Sequence, residues 1–546
     1  MKVPALLAVF AAALAVSAPA TAAGPLVPRE LASLSAHDHA LVQLRADAPT
    51  QVAERLRAAG GVEVSAPLRI WRLRSRAAAR LIPGLAVDGV LREFQPDRPR
   101  ELADHMTTGD PLLGEEWWLQ RVGADRVEPP GPGKPITVVD SGVDLAHPEF
   151  AGRPNTTALN PQTTIGRREF HGTSVASLIA APSNGIGIVG VYPQAVLYSW
   201  DASPDGLLRS SDVIRGIGTA IATGPGIVNV SLGGDELDPM ERDAVTAAFE
   251  RGVIVVAAAG NERDRGSPAV FPASLPHVLT VASTGVDDVV SPFSSVSNAT
   301  DLAAPGDLIT AAVPESFRPG GFAPGLGGTS FSAPIVAAAA AWVWTARPTL
   351  EKTQLVELLR RATRDVGAPG RDPDTGFGLL DIPTALTAPT PAIDPQEPND
   401  DVEQVAAGQL FAVSKQPLTN ATRFRATVSA RVDKYEDGAD LYRVFVPAGR
   451  KLTATLRSAG DVDLQLWSAA TRTVLEEGAA RRAHLLAQSA RVNVGNETAV
   501  FTNKRKSGVF VYATVLLRDD SPTVDASYTL SLTNAKVPAR KPRVRR

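Results

Sequence analysis

The sequence contains no cysteine among its 546 residues. Disulfides therefore cannot contribute to the fold, and thiol chemistry cannot take part in catalysis. An excess of charge of one sign is also absent, because 55 Lys and Arg residues against 58 Asp and Glu residues give a net charge of −3. This balance argues against a polyanionic partner, and we expect no binding of nucleic acid.

Long hydrophobic runs are scarce outside the N-terminus. Lys2 is followed by an apolar stretch from Ala5 to Ala18 and then by small residues. This pattern predicts a secretory signal peptide over residues 1–23, cleaved near Ala22 to Gly24, and a secreted, extracellular protein. The later run "IVAAAAAWVW" is too short to cross a bilayer and indicates a buried helix, so we expect no transmembrane anchor.

The length and composition predict a folded protein of two or three domains. Hydrophobic residues make up 44% of the chain and charged residues 21%, with 45 Gly and 44 Pro. The last twelve residues, 535–546, form a basic tail that we expect to be solvated, with contact to an anionic cell-surface polymer as the alternative. Its basic residues are Lys536, Arg540, Lys541, Arg543, Arg545 and Arg546.

Residues 24–107 follow the signal peptide and predict a small α+β module. The expected order is strand, helix, strand, helix, strand, which is typical of a ferredoxin-like fold. The expected bounds are Ala40–Leu44, about Pro49 to Gly60, Leu68–Leu73, Ser75–Leu81 and Val87–Phe94. Its place before a larger domain suggests a pro-segment, and an independent domain is the alternative.

Residues 108–388 alternate apolar runs with helical patterns. The runs "PITVVD", "IVNVSLG", "VIVVAAAGN" and "VLTVAS" are continuous and rich in small or β-branched residues. Such strands are typical of a mostly parallel sheet covered by helices on both faces, which places this segment in the α/β class. Residues 389–400 form a Pro-rich linker. Residues 401–534 contain short, partly alternating runs divided by Gly, Pro and Asp, which predict a β-sandwich.

The segment "VVDSGVD" ends an apolar run at Asp140, and its role is open when taken alone. A second acidic motif, "DTG" at Asp374, raises the alternative of an aspartic-protease dyad. The parallel α/β organisation argues against that alternative, since pepsin-like aspartic proteases are built from antiparallel strands. Asp374 also follows "GRDP" rather than an apolar strand, so we expect an ordinary loop there.

Three segments point instead to a nucleophilic triad: "VVDSGVD" with Asp140, "HGTSVASLIAA" with His171 and "GGTSFSAPIVAAAAA" with Ser330. Ser330 opens an apolar helix, where unpaired amides favour negative charge. Its hydroxyl needs a base, which His171 can supply, and Asp140 can orient the imidazole. A simple N-cap role for Ser330 is the alternative.

In these three motifs and their order, the chain resembles the subtilisin-like serine proteases. The resemblance implies that Asn261, in "VIVVAAAGNERD", donates to the oxyanion. It also implies two walls of a peptide-binding cleft: Ser231, Leu232 and Gly233 on one side, and Ala257, Ala258, Ala259 and Gly260 on the other. Val270 stands where some relatives have Gly, which predicts a narrowed pocket that prefers small or medium apolar side chains.

The same resemblance implies that the chemistry requires no cofactor, while structural calcium is common in the family. The segment "SNGIGIVGVYP" is similar to a calcium-binding loop. The candidate ligands are Glu149, Asn184, Ile186 and Ile188, with Glu149 standing where the family often has Asp.

The same resemblance also implies roles for the regions before and after the peptidase-like segment. Residues 24–107 resemble a pro-segment that inhibits its own peptidase until it is cut, and we expect self-cleavage shortly before Asp110. The segments "EPNDD", "DVDLQLW" and "YTL" resemble the pre-peptidase C-terminal domain found in secreted proteases.

The sequence therefore predicts a secreted serine endopeptidase that cleaves polypeptides through an acyl-enzyme. The alternative from another functional class is a catalytically silent protease scaffold that acts as a binding protein through its C-terminal sandwich.

Overall fold

The computed structural model describes residues 39–97, 109–162, 169–492, 496–517, 521 and 523–537. The predicted signal peptide, the expected self-cleavage region before residue 109 and the tail beyond residue 537 lie outside these residues. The chain divides into two compact units, Met1–Ala103 and Asp104–Arg546.

The N-terminal unit has, in its described part, an antiparallel sheet of four strands in the order β2-β3-β1-β4. Its elements are β1 (His39–Leu44), α1 (Thr50–Ala58), β2 (Val62–Ser65), β3 (Ile70–Arg74), α2 (Ser75–Val87) and β4 (Leu91–Pro96). This βαββαβ order is ferredoxin-like, as expected. Trp71, Leu73, Leu56 and Ile82 form the centre of its core.

Two details of this unit differ from the prediction. The sequence predicts one strand between the helices, whereas the structure has two, because β2 is an edge strand with exposed side chains that carries no burial pattern. Helix α2 also continues beyond Leu81 to Val87. Ile82 and Leu85 are both buried and extend its apolar face.

The larger unit is built on a nine-stranded sheet, counted over the described residues, in the order β14-β15-β11-β10-β9-β8-β5-β7-β6. All neighbours pair in parallel except β14 with β15. The central strands are buried along their whole length, which explains their continuous apolar runs. The strands are β5 (Pro135–Asp140), β6 (Thr156–Ala158), β7 (Val196–Asp201), β8 (Gly226–Val230), β9 (Val253–Ala258), β10 (Val278–Thr284), β11 (Leu302–Pro305), β14 (Thr363–Arg364) and β15 (Leu379–Leu380).

Helices cover both faces of this sheet, and a short hairpin, β12 (Ile309–Ala312) with β13 (Phe322–Leu326), lies beside it. The α-helices are α3 (Trp117–Val122), α4 (His171–Ala180), α5 (Ser210–Thr223), α6 (Pro239–Glu250), α7 (Thr329–Ala346), α8 (Lys352–Arg361) and α9 (Ile382–Thr387). Short 3₁₀ turns occur at Leu113–Glu115, Ala124–Arg126 and Arg263–Arg265.

Helix α7 is the central helix of this unit. Among the described residues it is the one helix long and apolar enough to cross a membrane, but 83% of that window is buried inside the protein. Its small alanines allow close packing between the sheet and α4, so its hydrophobicity is explained by the core.

The C-terminal part is a β-sandwich, as the alternating runs predict. Its two antiparallel sheets have the orders β16-β23-β18-β21 and β17-β22-β19-β20 within the described residues. The strands are β16 (Arg425–Asp433), β17 (Ala439–Val446), β18 (Arg450–Ser458), β19 (Asp463–Ser468), β20 (Leu485–Ser489), β21 (Asn496–Thr502), β22 (Val509–Leu516) and β23 (Asp525–Lys536). Two short helices, α10 (Val402–Val405) and α11 (Gly478–His484), accompany them.

The sandwich and the α/β part share a buried ion-pair network. Arg360 on α8 lies 2.8 Å from Asp301 of the α/β part and 2.7 Å from Asp433 of β16. The Arg360 side chain is only 4% exposed. The sandwich is therefore packed against the α/β part rather than held by the linker alone.

Candidate active site

Three neighbouring parallel strands bring polar residues to one edge of the large sheet. Asp140 is the last residue of β5, Ser231 follows the end of β8, and Asn261 comes three residues after β9. Because these strands are adjacent and parallel, their carboxyl ends meet at the same edge, where open α/β sheets carry their sites.

Asp140 and His171 form a direct hydrogen bond. Asp140 Oδ1 lies 2.8 Å from His171 Nδ1 and also accepts from the backbone N–H of Ser141 at 2.8 Å. A Cβ added at Gly172 would lie 2.3 Å from the carbonyl oxygen of Gly142. Glycine at 172 therefore permits the close approach of α4 to the end of β5.

The charges around this pair favour the protonated form of the His171 imidazole. Burial alone lowers the pKa of His171, but the charge of Asp140 and its hydrogen bond, together with the charge of Glu169, raise it above its ordinary value of 6.5. The His171 side chain is 31% exposed and that of Asp140 is 3% exposed. The imidazole can therefore reach a bound molecule, while the carboxylate behind it is shielded.

Ser330 is the second residue of α7, and the first turn of this helix lies close to His171. The ring of Phe331, the following residue, has its centroid 5.8 Å from that of His171. The Ser330 hydroxyl donates to the carbonyl of Ser231 at 3.0 Å. Within the described residues, no hydrogen bond joins this hydroxyl to His171.

Asn261 is attached to the start of the same helix. Its Oδ1 accepts from the backbone N–H of Thr329 at 2.9 Å and from the Thr329 hydroxyl at 3.1 Å. Its Nδ2 has no hydrogen-bond partner within the described part of the chain. The amide is thus fixed beside Ser330 by its oxygen, with its N–H groups free to donate.

The two segments expected to form the cleft are brought together around Val270. A Cβ added at Gly233 would lie 2.7 Å from Val270 Cγ1, and one added at Gly260 would lie 2.7 Å from Val270 Cγ2. Gly234 and Phe271 exchange backbone hydrogen bonds of 3.0 and 2.8 Å, which fixes Val270 between the segments. The remaining residues of the second wall, Ala257, Ala258 and Ala259, are buried in or directly after β9.

The candidate calcium ligands also lie together, in and beside the loop at Asn184. Glu149 accepts from the backbone N–H of Ile188 at 3.0 Å and from Asn184 Nδ2 at 3.2 Å. Asn184 Oδ1 accepts from the backbone N–H of Ile186 at 2.8 Å. Glu149 and Asn184 thus lie side by side in this loop, and calcium binding there stays a prediction.

The remaining motifs have structural roles. Asp374 pairs with Arg263 in a loop, where its backbone N–H donates to Asp372 at 2.8 Å. His147 is buried, its Nε2 lies 2.8 Å from the carbonyl of Gly321, and burial lowers its pKa. Asp374, the first residue of "DTG", therefore lies in an ordinary loop, as its sequence context predicts.

Some contacts in and near the candidate sites are not indicated by any motif. Ser231 bonds to Ser330 through both its backbone and its side chain. Glu169 raises the pKa of His171 from two residues away. Asp110 accepts from the backbone N–H groups of Asn184 and Ile186 at 3.2 and 2.8 Å. These contacts join segments far apart in the chain, so sequence spacing gives no signal for most of them.

Comparison with known proteins assigns the α/β part to a family. The model of the "Subtilase family" of peptidases (S8) matches residues 131–378. Subtilisin of Bacillus pumilus is 33% identical over 256 residues, which cover 46% of this chain and 90% of that protein. The chain therefore belongs to the subtilase family.

Other relatives are covered less completely. The minor extracellular protease Epr of Bacillus subtilis (strain 168) is 32% identical over 292 residues, which cover 52% of this chain and 44% of Epr. Subtilisin NAT of Bacillus subtilis subsp. natto is 34% identical, with 61% of its length covered. The chain thus spans less than two thirds of the length of each of these two relatives.

Among solved structures, the chain is similar to fervidolysin from Fervidobacterium pennivorans, a keratinolytic enzyme related to subtilisin. The TM-score is 0.46 at 22% identity, over 85% of this chain and 69% of fervidolysin. The family membership follows from the sequence relatives alone.

Proposed function

We propose that this protein is a secreted serine endopeptidase that hydrolyses polypeptides through Asp140, His171 and Ser330. The observation that carries the proposal is the 2.8 Å contact between Asp140 Oδ1 and His171 Nδ1, beside the helix start that holds Ser330. This contact supports the proposal, because a general-base mechanism needs a carboxylate that orients the imidazole on the side away from the hydroxyl.

In the first step, the Ser330 hydroxyl leaves the carbonyl of Ser231 and turns to His171 Nε2. As Oγ attacks the scissile carbonyl carbon, its proton passes to Nε2, and the carbon–nitrogen bond then breaks as His171 gives that proton to the leaving amine. A water molecule then hydrolyses the acyl-enzyme, and His171 again acts first as base and then as acid. Asp140 stays ionised and stabilises the imidazolium.

The negative oxygen of the tetrahedral intermediate needs donors that are fixed before the reaction. Asn261 Nδ2 and the backbone N–H of Ser330, in the unpaired first turn of α7, are the candidates. The two hydrogen bonds that Asn261 Oδ1 accepts from Thr329 support this role, because they hold the amide in one orientation.

The substrate is proposed to bind as an extended peptide between Ser231–Gly233 and Ala257–Gly260. Val270 lies between these segments and reduces the space for the residue before the scissile bond. We therefore expect a preference for small or medium apolar side chains at that position.

The flanking regions fit a zymogen. Residues 24–107 are proposed as the pro-segment and intramolecular inhibitor, residues 108–388 as the peptidase domain and residues 401–534 as the appended sandwich. A compact unit ending near residue 103 supports the first boundary. The similarity to an extracellular protease supports secretion.

The proposal is tested by labelling the secreted protein with a fluorophosphonate and reading its intact mass. We expect the parent to carry the label on Ser330 and to lack residues before about 110, while a Ser330→Ala variant stays unlabelled and full length. Ser210→Ala, at an exposed helix start, is the matched control and should behave as the parent. An unlabelled and unprocessed parent at every pH tested would instead support the silent scaffold.

A further inference from the structure

One end of the sandwich is strongly basic, although the chain as a whole is nearly balanced in charge. Four segments meet at this end: residues 418–425, 447–451, 502–508 and 534–537. These segments contain no Asp or Glu. Their basic residues, which we call the basic end, are Arg423, Arg425, Arg450, Lys451, Lys504, Arg505, Lys506 and Lys536.

Strand pairing brings these segments together. The start of β16 and the start of β18 both pair with the end of β23, which places Arg450 opposite Lys536. Lys451 lies opposite Thr502, which directly precedes the turn 503–508 between β21 and β22. Cations from distant parts of the sequence therefore share one end of the sandwich.

Two buried asparagines hold the turns of the basic end. Asn503 Nδ2 donates to the carbonyls of Val446 and Ser507, each at 2.9 Å. Asn534 Nδ2 donates to the carbonyl of Phe445 at 3.0 Å. Both asparagine side chains are almost fully buried. The backbone of these turns is therefore fixed beforehand, which reduces the entropy lost when a partner binds.

Among the described residues, none of the basic side chains of this end is paired with a carboxylate. The Arg450 guanidinium instead lies 3.6 Å from the centre of the Phe424 ring and donates to the carbonyl of Asn534 at 2.8 Å. All three side chains of residues 504–506 are exposed. Such a concentration of unmatched positive charge attracts anions.

Acidic residues lie at the opposite end of the sandwich. Asp433 and Asp525 face each other across the far ends of β16 and β23, and Asp433 binds Arg360 of the α/β part. Strand β16 runs from Arg425 to Asp433, a length of roughly 26 Å for an extended strand. The basic end is therefore remote from the attachment to the α/β part.

A row of hydroxyl groups adjoins the basic end. Thr427, Ser531, Thr455 and Thr498 lie side by side across strands β16, β23, β18 and β21, and their neighbours along each strand point into the core. The outward positions of these four strands, all of which the structure describes, hold no aromatic residue. This face therefore offers hydrogen bonds to other hydroxyl groups but no ring on which nucleic-acid bases could stack.

We propose that the basic end and the adjoining hydroxyl row bind an acidic extracellular polysaccharide. Carboxylate or sulfate groups of the polymer pair with the cations, and its sugar hydroxyls bond to the row. A polymer is favoured over a small anion, because cations spread over four segments do not converge on one group. The site shares no residue with Asp140, His171 and Ser330, so this inference is independent of the proposed peptidase activity.

The test measures binding of the full chain carrying Ser330→Ala to two immobilised polysaccharides. Heparin presents sulfate groups and polygalacturonate presents carboxylates, so the two probes distinguish the kind of anion. We expect the parent to bind at least one of them, and binding to weaken as salt is added, since salt screens exposed charges.

Two variants remove cations from the basic end. The first combines Lys504→Gln, Arg505→Gln and Lys506→Gln in the turn, and the second combines Lys451→Gln and Lys536→Gln. Each should weaken binding by at least about fivefold. The first variant keeps the basic tail of residues 535–546 intact, so its loss is assigned to the turn. Thermal unfolding checks that both variants fold, as expected for exposed side chains.

The matched control combines Arg251→Gln, Arg265→Gln and Arg318→Gln, which remove the same charge as the turn variant from exposed positions of the α/β part. It should change the affinity by less than about twofold. An equal loss in the control and the turn variant would overturn the proposal, because net charge alone would then decide binding. Unchanged affinity in both basic-end variants, or a parent that binds neither polysaccharide, would also overturn it.

Other polyanions test the choice of partner. Double-stranded DNA and vesicles of anionic phospholipid, at the same concentration of charge, should bind the parent chain more weakly than the better of the two polysaccharides. Equal or tighter binding of DNA or vesicles would contradict the assignment to a polysaccharide.

Discussion

Ser330 and Ser231 are joined by two reciprocal hydrogen bonds. The Ser330 hydroxyl donates to the Ser231 carbonyl at 3.0 Å, and the Ser231 hydroxyl donates to the Ser330 carbonyl at 2.9 Å. Asn229 Nδ2 in turn donates to the Ser231 hydroxyl at 2.9 Å. The end of β8 thus holds the start of α7 and sets the distance between Ser330 and the segment Ser231–Gly233.

Substitution of Ser231 by Ala should therefore destabilise the protein. It removes the donor to Ser330 and leaves Asn229 Nδ2 buried without a partner, at a cost of about 1–3 kcal/mol. Denaturant unfolding in the Ser330→Ala background measures the change. Ser429→Ala, on the exposed face of the sandwich, should change the free energy of unfolding by less than about 0.5 kcal/mol. Equal effects of the two substitutions would contradict this role of Ser231.

The pH dependence of activity should follow His171. Only the neutral imidazole accepts a proton, and Asp140 keeps the pKa of His171 above its ordinary value of 6.5 against the effect of burial. The ratio kcat/KM should therefore be high above that pKa and fall as the pH is lowered through it.

Asp140→Asn removes the charge that raises the pKa of His171. The acidic limb of the kcat/KM profile should move to lower pH, and kcat should fall by roughly 10⁴-fold. Asp243→Asn, on the exposed side of α6, serves as the control. An acidic limb that stays in place in Asp140→Asn would show that another group controls it.

Asn261→Ala tests the oxyanion site. Removing one such donor from a subtilisin lowers kcat by roughly 10²–10³-fold, and we expect a similar loss here with little change in KM. The Thr329 N–H and hydroxyl would lose their acceptor, so the free energy of unfolding must be measured alongside. A loss of stability with unchanged kcat would assign Asn261 a purely structural role.

The sequence predicts where Asp140, His171 and Ser330 lie in the fold, because each of them ends or begins a regular element. Asp140 closes an uninterrupted apolar strand, while His171 and Ser330 each begin a helix, so the motifs and the elements agree. The parallel sheet is predictable for the same reason, since strands buried on both faces read as continuous apolar runs.

Contacts between distant segments are not predictable in this way. The approach of Val270 to Gly233 and Gly260 depends on the pairing of Gly234 with Phe271, which no local pattern signals. The Ser330 hydroxyl likewise bonds to the carbonyl of Ser231, which is distant from it in the chain. The sequence does not predict the exposed strand β2, because an edge strand without a buried face lacks the alternation that identifies strands.

Val270→Gly should widen the cleft. Its two methyl groups occupy the space beside Gly233 and Gly260, so their removal favours larger side chains before the scissile bond. For peptides with Phe against Ala at that position, the ratio of kcat/KM values should rise by roughly tenfold or more. Val289→Gly, at a valine that is 58% exposed, should leave the ratio unchanged. An unchanged ratio in Val270→Gly would place the specificity pocket elsewhere.

Arg360→Ala should weaken the attachment of the sandwich to the α/β part. Arg360 is 4% exposed and neutralises both Asp301 and Asp433, so its loss leaves two buried carboxylates uncompensated, at a cost of about 3–5 kcal/mol. Arg361→Ala is the matched control, because the neighbouring arginine is 36% exposed and its pairs with Glu357 and Asp525 contribute only about 0–1 kcal/mol. Calorimetry in the Ser330→Ala background should show the sandwich unfolding earlier in Arg360→Ala alone. Equal effects at both positions would mean that the buried network does not hold the two parts together.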